Sequence, residues 1–333
     1  MLRDIAILTA EAGRSLSKKV LFYEYPATGT HAKEPPLKLW ECAFGKRAIS
    51  ALKKAGILKP LLSKKATDAQ IKQAQKIILR YKKSAPHAVI ALSNYSTTHT
   101  LFRNLLTKVC GSRYASMPLF DVGMLETGMA VNYKELKKRT DLISKTLRKA
   151  DSIEIKTSNG THLKFQRGKR KIHSDTGILT KAGSFGNLPA GEVFLSPIEG
   201  TANGKLILEW APTRRLASPI TLIVKEGNVK DVSGSEPYVT YLGEKLNERK
   251  ENRNIAELGI GTNDMAKRLD NILESEKIMG TIHIALGDNS SFGGNVKTPF
   301  HQDFVFLKPT LILIDKKGTK TELMRDGRFI DDV

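Results

Sequence analysis

Near residue 150 the spacing of apolar residues changes, and this constrains the fold more than any other feature. Before that point apolar side chains recur at helical intervals. Across residues 35–55 they are Leu37, Leu39, Cys42, Ala43, Ile49 and Leu52, with Gly56 as a stop, which predicts one helix. Residues 67–83 predict a second helix, with Ile71, Ala74, Ile77, Ile78 and Tyr81 on one stripe. A third is expected near residues 101–109 after a turn at 93–98, and a strongly basic fourth at 133–150. Residues 20–25 (VLFYEY) read as a strand. So do residues 88–92 (AVIAL), whose lack of alternation predicts burial on both faces. Strands interleaved with helices indicate an open sheet with flanking helices.

Beyond residue 150 the apolar runs are short. Residues 152–157 and 161–166 alternate around Ser158-Asn159-Gly160, a strong hairpin signal. Further strands are expected at 192–195, 205–210, 220–225, 255–258, 280–286, 303–307 and 310–314, with a last turn at 316–318 and a helix-like stretch at 265–274. Residues 112–132, with Pro118, Gly123 and Gly128, read as a connection that holds the domain boundary. The chain of 333 residues is thus read as an α/β protein of two domains. Residues 1–125 form a basic N-terminal domain with an open α/β sheet, and residues 126–333 a strand-rich α+β domain.

Charge narrows the partners. Lys and Arg number 54 against 34 Asp and Glu, a net +20. Residues 1–90 carry 18 basic and 6 acidic side chains, net +12, whereas residues 251–333 carry 11 and 13, net −2. The excess therefore lies away from the C-terminal end. No zinc-finger spacing or RNA-binding aromatic motif accompanies it, so nucleic acid is not the expected partner and non-specific polyanion binding is only a third reading. No run of 18 apolar residues predicts a membrane span. The start, MLRDIAILTAEAGRSLSKK, lacks the features of a secretory signal. Two cysteines, Cys42 and Cys110, fit a reducing compartment, and a cytoplasmic protein is expected.

The chemistry-bearing residues cluster late. His301 and Asp303 are two apart in an apolar run, which in a strand puts both on one face, as a divalent metal site would need. The alternative is a hydrogen-bonded pair in a core. His283 lies in the apolar string GTIHIALG. Glu192 stands where a loop becomes a strand, and Glu257 stands inside an apolar, glycine-containing segment, where a carboxylate must be paired or bind a cation. Glu276 precedes the His283 strand and has Ser275 and Lys277 as neighbours, so a surface position is equally open to it. Together these could hold two divalent cations with a bridging water, and an unligated glutamate could serve as general base.

The strings NLPAGEVF, AELGIG, GTIHIALG and HQDFVF, in this order, resemble the aminopeptidase T family of metallo-aminopeptidases. The likeness runs from about residue 116 to the end. It implies a two-domain, homodimeric hydrolase that removes N-terminal residues from short peptides. It also implies two zinc, cobalt or manganese ions on Glu192, Glu257, His283, His301 and Asp303, with Glu276 as the catalytic glutamate and Glu274 as its rival. The family's tyrosine seven residues after the histidine is replaced here by Ser290. The same superfamily includes an iron-dependent dihydroxypyridine dioxygenase that this shorter form also resembles. That likeness implies one Fe(II) on His283, His301 and Asp303, and ring cleavage as the alternative activity. The three glutamates favour the two-metal hydrolase, since a single iron would not need them.

Overall fold

A computed structural model describes residues 2–330. The expected mixed α/β architecture is present, in two compact units. The first comprises Met1–Gly123 and Ile178–Leu188, and the second Met124–Gly177 and Pro189–Val333.

In the first unit, helices surround a three-stranded parallel sheet of Ala88–Ser93, Arg113–Pro118 and Phe185–Asn187. Its core gathers Trp40, Phe44, Leu52, Leu61, Ile78, Phe102 and Tyr114. Several details differ from the sequence reading. The single helix over 35–55 is two, Leu37–Phe44 and Lys46–Lys54, broken at Gly45, whose φ of 84° cannot continue a helix. The helix Asp68–Arg80 starts at a capping box closed by Thr67 and Gln70. The strand Ala88–Ser93 lies at the sheet edge with Ala88 and Ile90 exposed, so it is not buried on both faces. Residues 20–25 form no strand, because no neighbouring strand pairs with them. The supposed connection at 112–132 begins instead with the central strand, Arg113–Pro118.

The second unit is built on two antiparallel sheets. The larger has eight strands, with the Ser152–Lys156 and His162–Gln166 hairpin near its middle. The smaller has five, in the order His301–Phe306, Ile282–Gly287, Ile255–Gly261, Glu192–Leu195, Ile172–Asp175. One core joins them: Ile172, Val193, Leu195, Leu258, Ile260, Ile282, Ile284, Leu286, Phe304 and Phe306 from the small sheet pack with Ile153, Phe165, Leu206, Leu222 and Leu311 from the large one. The helices Tyr133–Leu147 and Tyr238–Glu248 supply Ile143, Leu147, Leu242 and Leu246 to it. The second of these helices went unread in the sequence. The helix-like stretch at 265–274 shrinks to one turn, Ile272–Ser275. Among the described residues no helix is long and apolar enough to cross a membrane.

Candidate metal centre

Side chains alternate across a pleated strand, so the apolar face of the small sheet dictates what its other face carries. The cross-strand register aligns Asp175 with Glu192 and Gly261, then His173 with Phe194, Gly259, His283 and Val305, then Glu257 with Ala285 and Asp303, then Gly287 with His301. Glu192, Glu257, His283, His301 and Asp303, all singled out from sequence, therefore share one face.

Two local features make this possible. The pairing register shifts between Ile255 and Glu257. Core residues Leu258 and Ile260 set a two-residue period that puts Glu257, with Gly259 and Gly261, on the other face, and the β-bulge at Ala256 lets Ile255, opposite Leu286, still enter the core. Opposite His283 stands Gly259, where a Cβ would lie 2.0 Å from the imidazole Cε1 and Nε2. The glycine gives the ring its floor.

The polar atoms form a continuous run. Lys277 Nζ lies 2.9 Å from Glu276 Oε2 and 2.8 Å from Glu192 Oε1. Glu192 Oε2 is 3.4 Å from His283 Nε2, which is 3.7 Å from Glu257 Oε1. Glu257 Oε2 is 3.4 Å from His301 Nε2, and that atom is 3.5 Å from Asp303 Oδ1. The run grades from deep to open, since the side chains of Lys277 and His283 are 0% and 2% exposed, and that of His301 25%.

The imidazole–carboxylate gaps are too long for good hydrogen bonds. Donors held about 2.1 Å from one metal ion at 90–109° lie about 3.0–3.4 Å apart, and the gaps sit at or just beyond the upper edge of that range. Orphaned atoms give the same indication. Among the described residues, buried Glu192 Oε2 and His283 Nδ1 have no hydrogen-bond partner. His301 Nδ1 lies 2.8 Å from the Asp288 carbonyl oxygen, which can only accept, so Nδ1 donates. With Nδ1 fixed in this way, Nε2 faces Glu257 and Asp303, an arrangement that orients metal ligands.

Electrostatics add the same demand for a cation. Burial works against a charged His283, yet Glu257, Glu192, Glu276 and Asp303 around it outweigh burial and lift it to about 9. Burial also opposes charge on His301, but Asp303 and Glu257 hold it well above the ordinary histidine range. Burial pushes the Glu276 carboxyl up to about 7, against the pull of Lys277. Four carboxylates thus face one ammonium and two imidazoles, and a divalent ion would supply the missing positive charge. The residues fit a metal as two sets of donors, Glu192, Glu276 and His283 in one, Glu257, His301 and Asp303 in the other.

The rival glutamate is elsewhere. Glu274 is fully buried and accepts from the Thr127 hydroxyl and the backbone N–H groups of Lys267 and Arg268, so it ties a loop and leaves Glu276 to the cluster. Ser290 is exposed, and its hydroxyl donates to the Asp288 carboxylate.

Sequence reasoning missed several neighbours. Lys277 looked like a surface lysine. His173 and Asp175 repeat the two-residue spacing of His301 and Asp303 on the opposite edge strand, a signal that was present in the sequence. His173 stacks on Phe194 at 5.0 Å, Phe194 meets Phe292 at 5.8 Å, and Phe292 meets His301 edge-on at 6.0 Å. Residues 288–300, which carry Phe292, are pinned by buried Asn289, which donates to Ser196 and Glu199, and by His173, which donates to the Phe292 carbonyl.

Comparison with known proteins places this geometry. A family model described as NicX: 2,5-dihydroxypyridine 5,6-dioxygenase matches residues 124–331. The solved 2,5-dihydroxypyridine dioxygenase of Pseudomonas putida KT2440 is similar in fold, with a TM-score of 0.62 and 20% identity over 79% of this chain and 77% of that one. AmpT of Thermus thermophilus is also similar, with a TM-score of 0.55 and 16% identity over 97% of this chain and 85% of that one. No curated protein sequence matches. The fold likeness to an aminopeptidase T is therefore real, but the expected metallo-aminopeptidase activity, and with it the hydrolase role of Glu276, is corrected by the family match. The three glutamates that favoured hydrolysis misled because their presence does not require that each bind a metal: Glu192 and Glu276 are held by Lys277.

Proposed function

The chain belongs to the 2,5-dihydroxypyridine 5,6-dioxygenase family, and on that premise we propose that it is a non-haem Fe(II) dioxygenase that opens a dihydroxylated, pyridine-like aromatic ring. The observation that carries this reading is the convergence of His283, His301 and Asp303 on one sheet face within the matched region. Two imidazoles and a carboxylate with open positions are the donor set of such oxygenases. These three residues would hold the iron, with Glu257 lying between the imidazoles. Iron bound there would supply the one-electron chemistry that lets dioxygen react with the ring.

The chain's own residues bind and orient. His301 and Asp303 are the more exposed members of the set, so substrate approaches from their side. Phe292, Phe194 and His173 form an aromatic wall beside His301, against which a planar ring can stack. Asp288 keeps the His301 ring in place through its carbonyl. Glu257, drawn below its ordinary value by the imidazoles in spite of burial, stays ionised and can accept a proton from a ring hydroxyl. Two free cysteines support a cytoplasmic location.

The test is anaerobic loading with Fe(II), then addition of oxygen and 2,5-dihydroxypyridine. Oxygen uptake matched by loss of the ring absorbance is expected. No uptake with any of a panel of dihydroxylated pyridines and benzenes would refute the reading.

A further inference from the structure

The two donor sets in the cluster are not equivalent. In the set of Glu257, His301 and Asp303 the two carboxylates stand 3.4 and 3.5 Å from His301 Nε2, gaps that a metal ion could fill. The set of Glu192, Glu276 and His283 already contains a cation, because Lys277 Nζ touches both carboxylates. That lysine is built in. Its side chain is 0% exposed. Its backbone N–H donates to Glu274 and its carbonyl accepts from Asn263. At Gly261, a Cβ would lie 2.0 Å from the Ile278 oxygen and 2.9 Å from the Lys277 carbonyl carbon, so the glycine lets this segment lie directly on the sheet. Burying an ammonium is unfavourable unless it is closely paired, and a role in packing alone would be served by an apolar side chain.

We propose that the Lys277 ammonium stands in for a second metal ion and limits this centre to one divalent cation per chain. The proposal rests on reading the cluster as a metal centre, and it adds why the centre is mononuclear although six side chains able to ligate a metal are present. The ammonium uses two of its donors on Glu192 and Glu276, neutralises charge that would otherwise attract a dication, and repels one that approaches His283 from that side. Glu192 and Glu276 are then positioning residues: they hold Lys277, and through it the charge next to His283.

The experiment counts metal. Chelator-stripped protein is dialysed against excess Mn²⁺ and freed of unbound ion. Metal per chain is measured by plasma mass spectrometry, and the bound Mn²⁺ by electron paramagnetic resonance. Wild type should hold one Mn²⁺ with the six-line signal of an isolated ion. Lys277→Ala should hold two, with the broadened signal of coupled ions, and Mn²⁺ should raise its melting temperature more than that of wild type. The double variant Lys277→Ala/Glu276→Gln should return to one.

Two Mn²⁺ per wild-type chain would overturn the proposal, as would a folded Lys277→Ala that still takes one. If the alanine variant does not fold, Lys277→Ser, which keeps a donor for the carboxylates, carries the same two-against-one readout. Should neither fold, even with Mn²⁺ present, Lys277 is a structural residue and the proposal fails. No bound metal in wild type would overturn this proposal together with the metal centre itself. One metal but no ring cleavage would overturn the dioxygenase reading alone.

Discussion

The floor under His283 gives the sharpest quantitative expectation. Replacing Gly259 by Ala places a methyl carbon 2.0 Å from two imidazole atoms. Carbon–carbon contact requires about 3.4 Å, so the ring or the strand must give way by about 1.4 Å. His283 is buried, and its strand is paired on both sides, with Ile255–Gly261 and with His301–Phe306, so the backbone has little freedom. Most of the displacement falls on the imidazole. Functional groups need placement within about 0.5 Å, and 1 Å of misplacement costs about 100-fold in rate. Gly259→Ala should therefore weaken metal binding about 10–100-fold and lower turnover by about 100-fold or more, with a loss of about 1–3 kcal/mol in stability from overpacking. The assay is competition for Co²⁺ against a chelator with known affinity, beside oxygen uptake by the iron-loaded protein and urea unfolding. A variant that binds Co²⁺ within twofold of wild type and turns over normally would refute the argument that this glycine exists to seat the ring.

Three further outcomes follow from other parts of the chain. Phe292→Ala should raise KM for an aromatic substrate about 2- to 10-fold with a smaller effect on metal affinity, since it removes one stacking partner worth about 0.5–1.5 kcal/mol; a steady-state comparison with direct metal titration checks this. Burial lifts the Glu34 carboxyl from 4.5 to about 7 although it accepts from the Leu101 and Phe102 N–H groups, so between those pH values the folded chain binds a proton that the unfolded chain has lost. Glu34's contribution to stability should thus be full below pH 4.5 and fall by about 3 kcal/mol as pH rises to 7 and above, and urea unfolding of Glu34→Gln should show that part of the slope removed. Gly243 lies inside the helix Tyr238–Glu248 with open space where a Cβ methyl would stand, so Gly243→Ala should bring a gain of about 0.5–1 kcal/mol by thermal unfolding.

What could be read from the sequence depended on whether the signal was periodic. His301 and Asp303 are two apart in a strand, and the structure puts them on one face as the spacing requires. The Asn159-Gly160 hairpin and most strands beyond residue 150 were legible for the same reason. Glu257 was placed in the cluster for its apolar surroundings, and its direction follows the alternation of Leu258 and Ile260, whereas the bulge at Ala256 that returns Ile255 to the core is announced by no period. Lys277 gave no sign at all, because a lysine beside a glutamate is what a solvated surface looks like, and only the packing of the 275–278 segment onto Gly261 buries it. Arg113–Pro118 was missed since Arg113, Ser116 and Pro118 suggest a loop, while parallel pairing on both sides makes it a central strand. Residues 20–25 are the reverse case, β-forming side chains with no strand to pair with. The choice between peptide hydrolysis and ring opening was not legible, because both activities were attached to the same His and Asp residues.

The five-stranded sheet has one further consequence. Its alternate positions answer to different demands: Ile282, Ile284 and Leu286 secure the protein's integrity, while His283, Ala285 and Gly287 between them face the chemistry. A designer can rewrite the side chains of that second set to change what the molecule converts while leaving intact the letters that keep it folded, except at its glycines, where a Cβ would strike the His283 ring from Gly259 and the Phe300 carbonyl oxygen from Gly287.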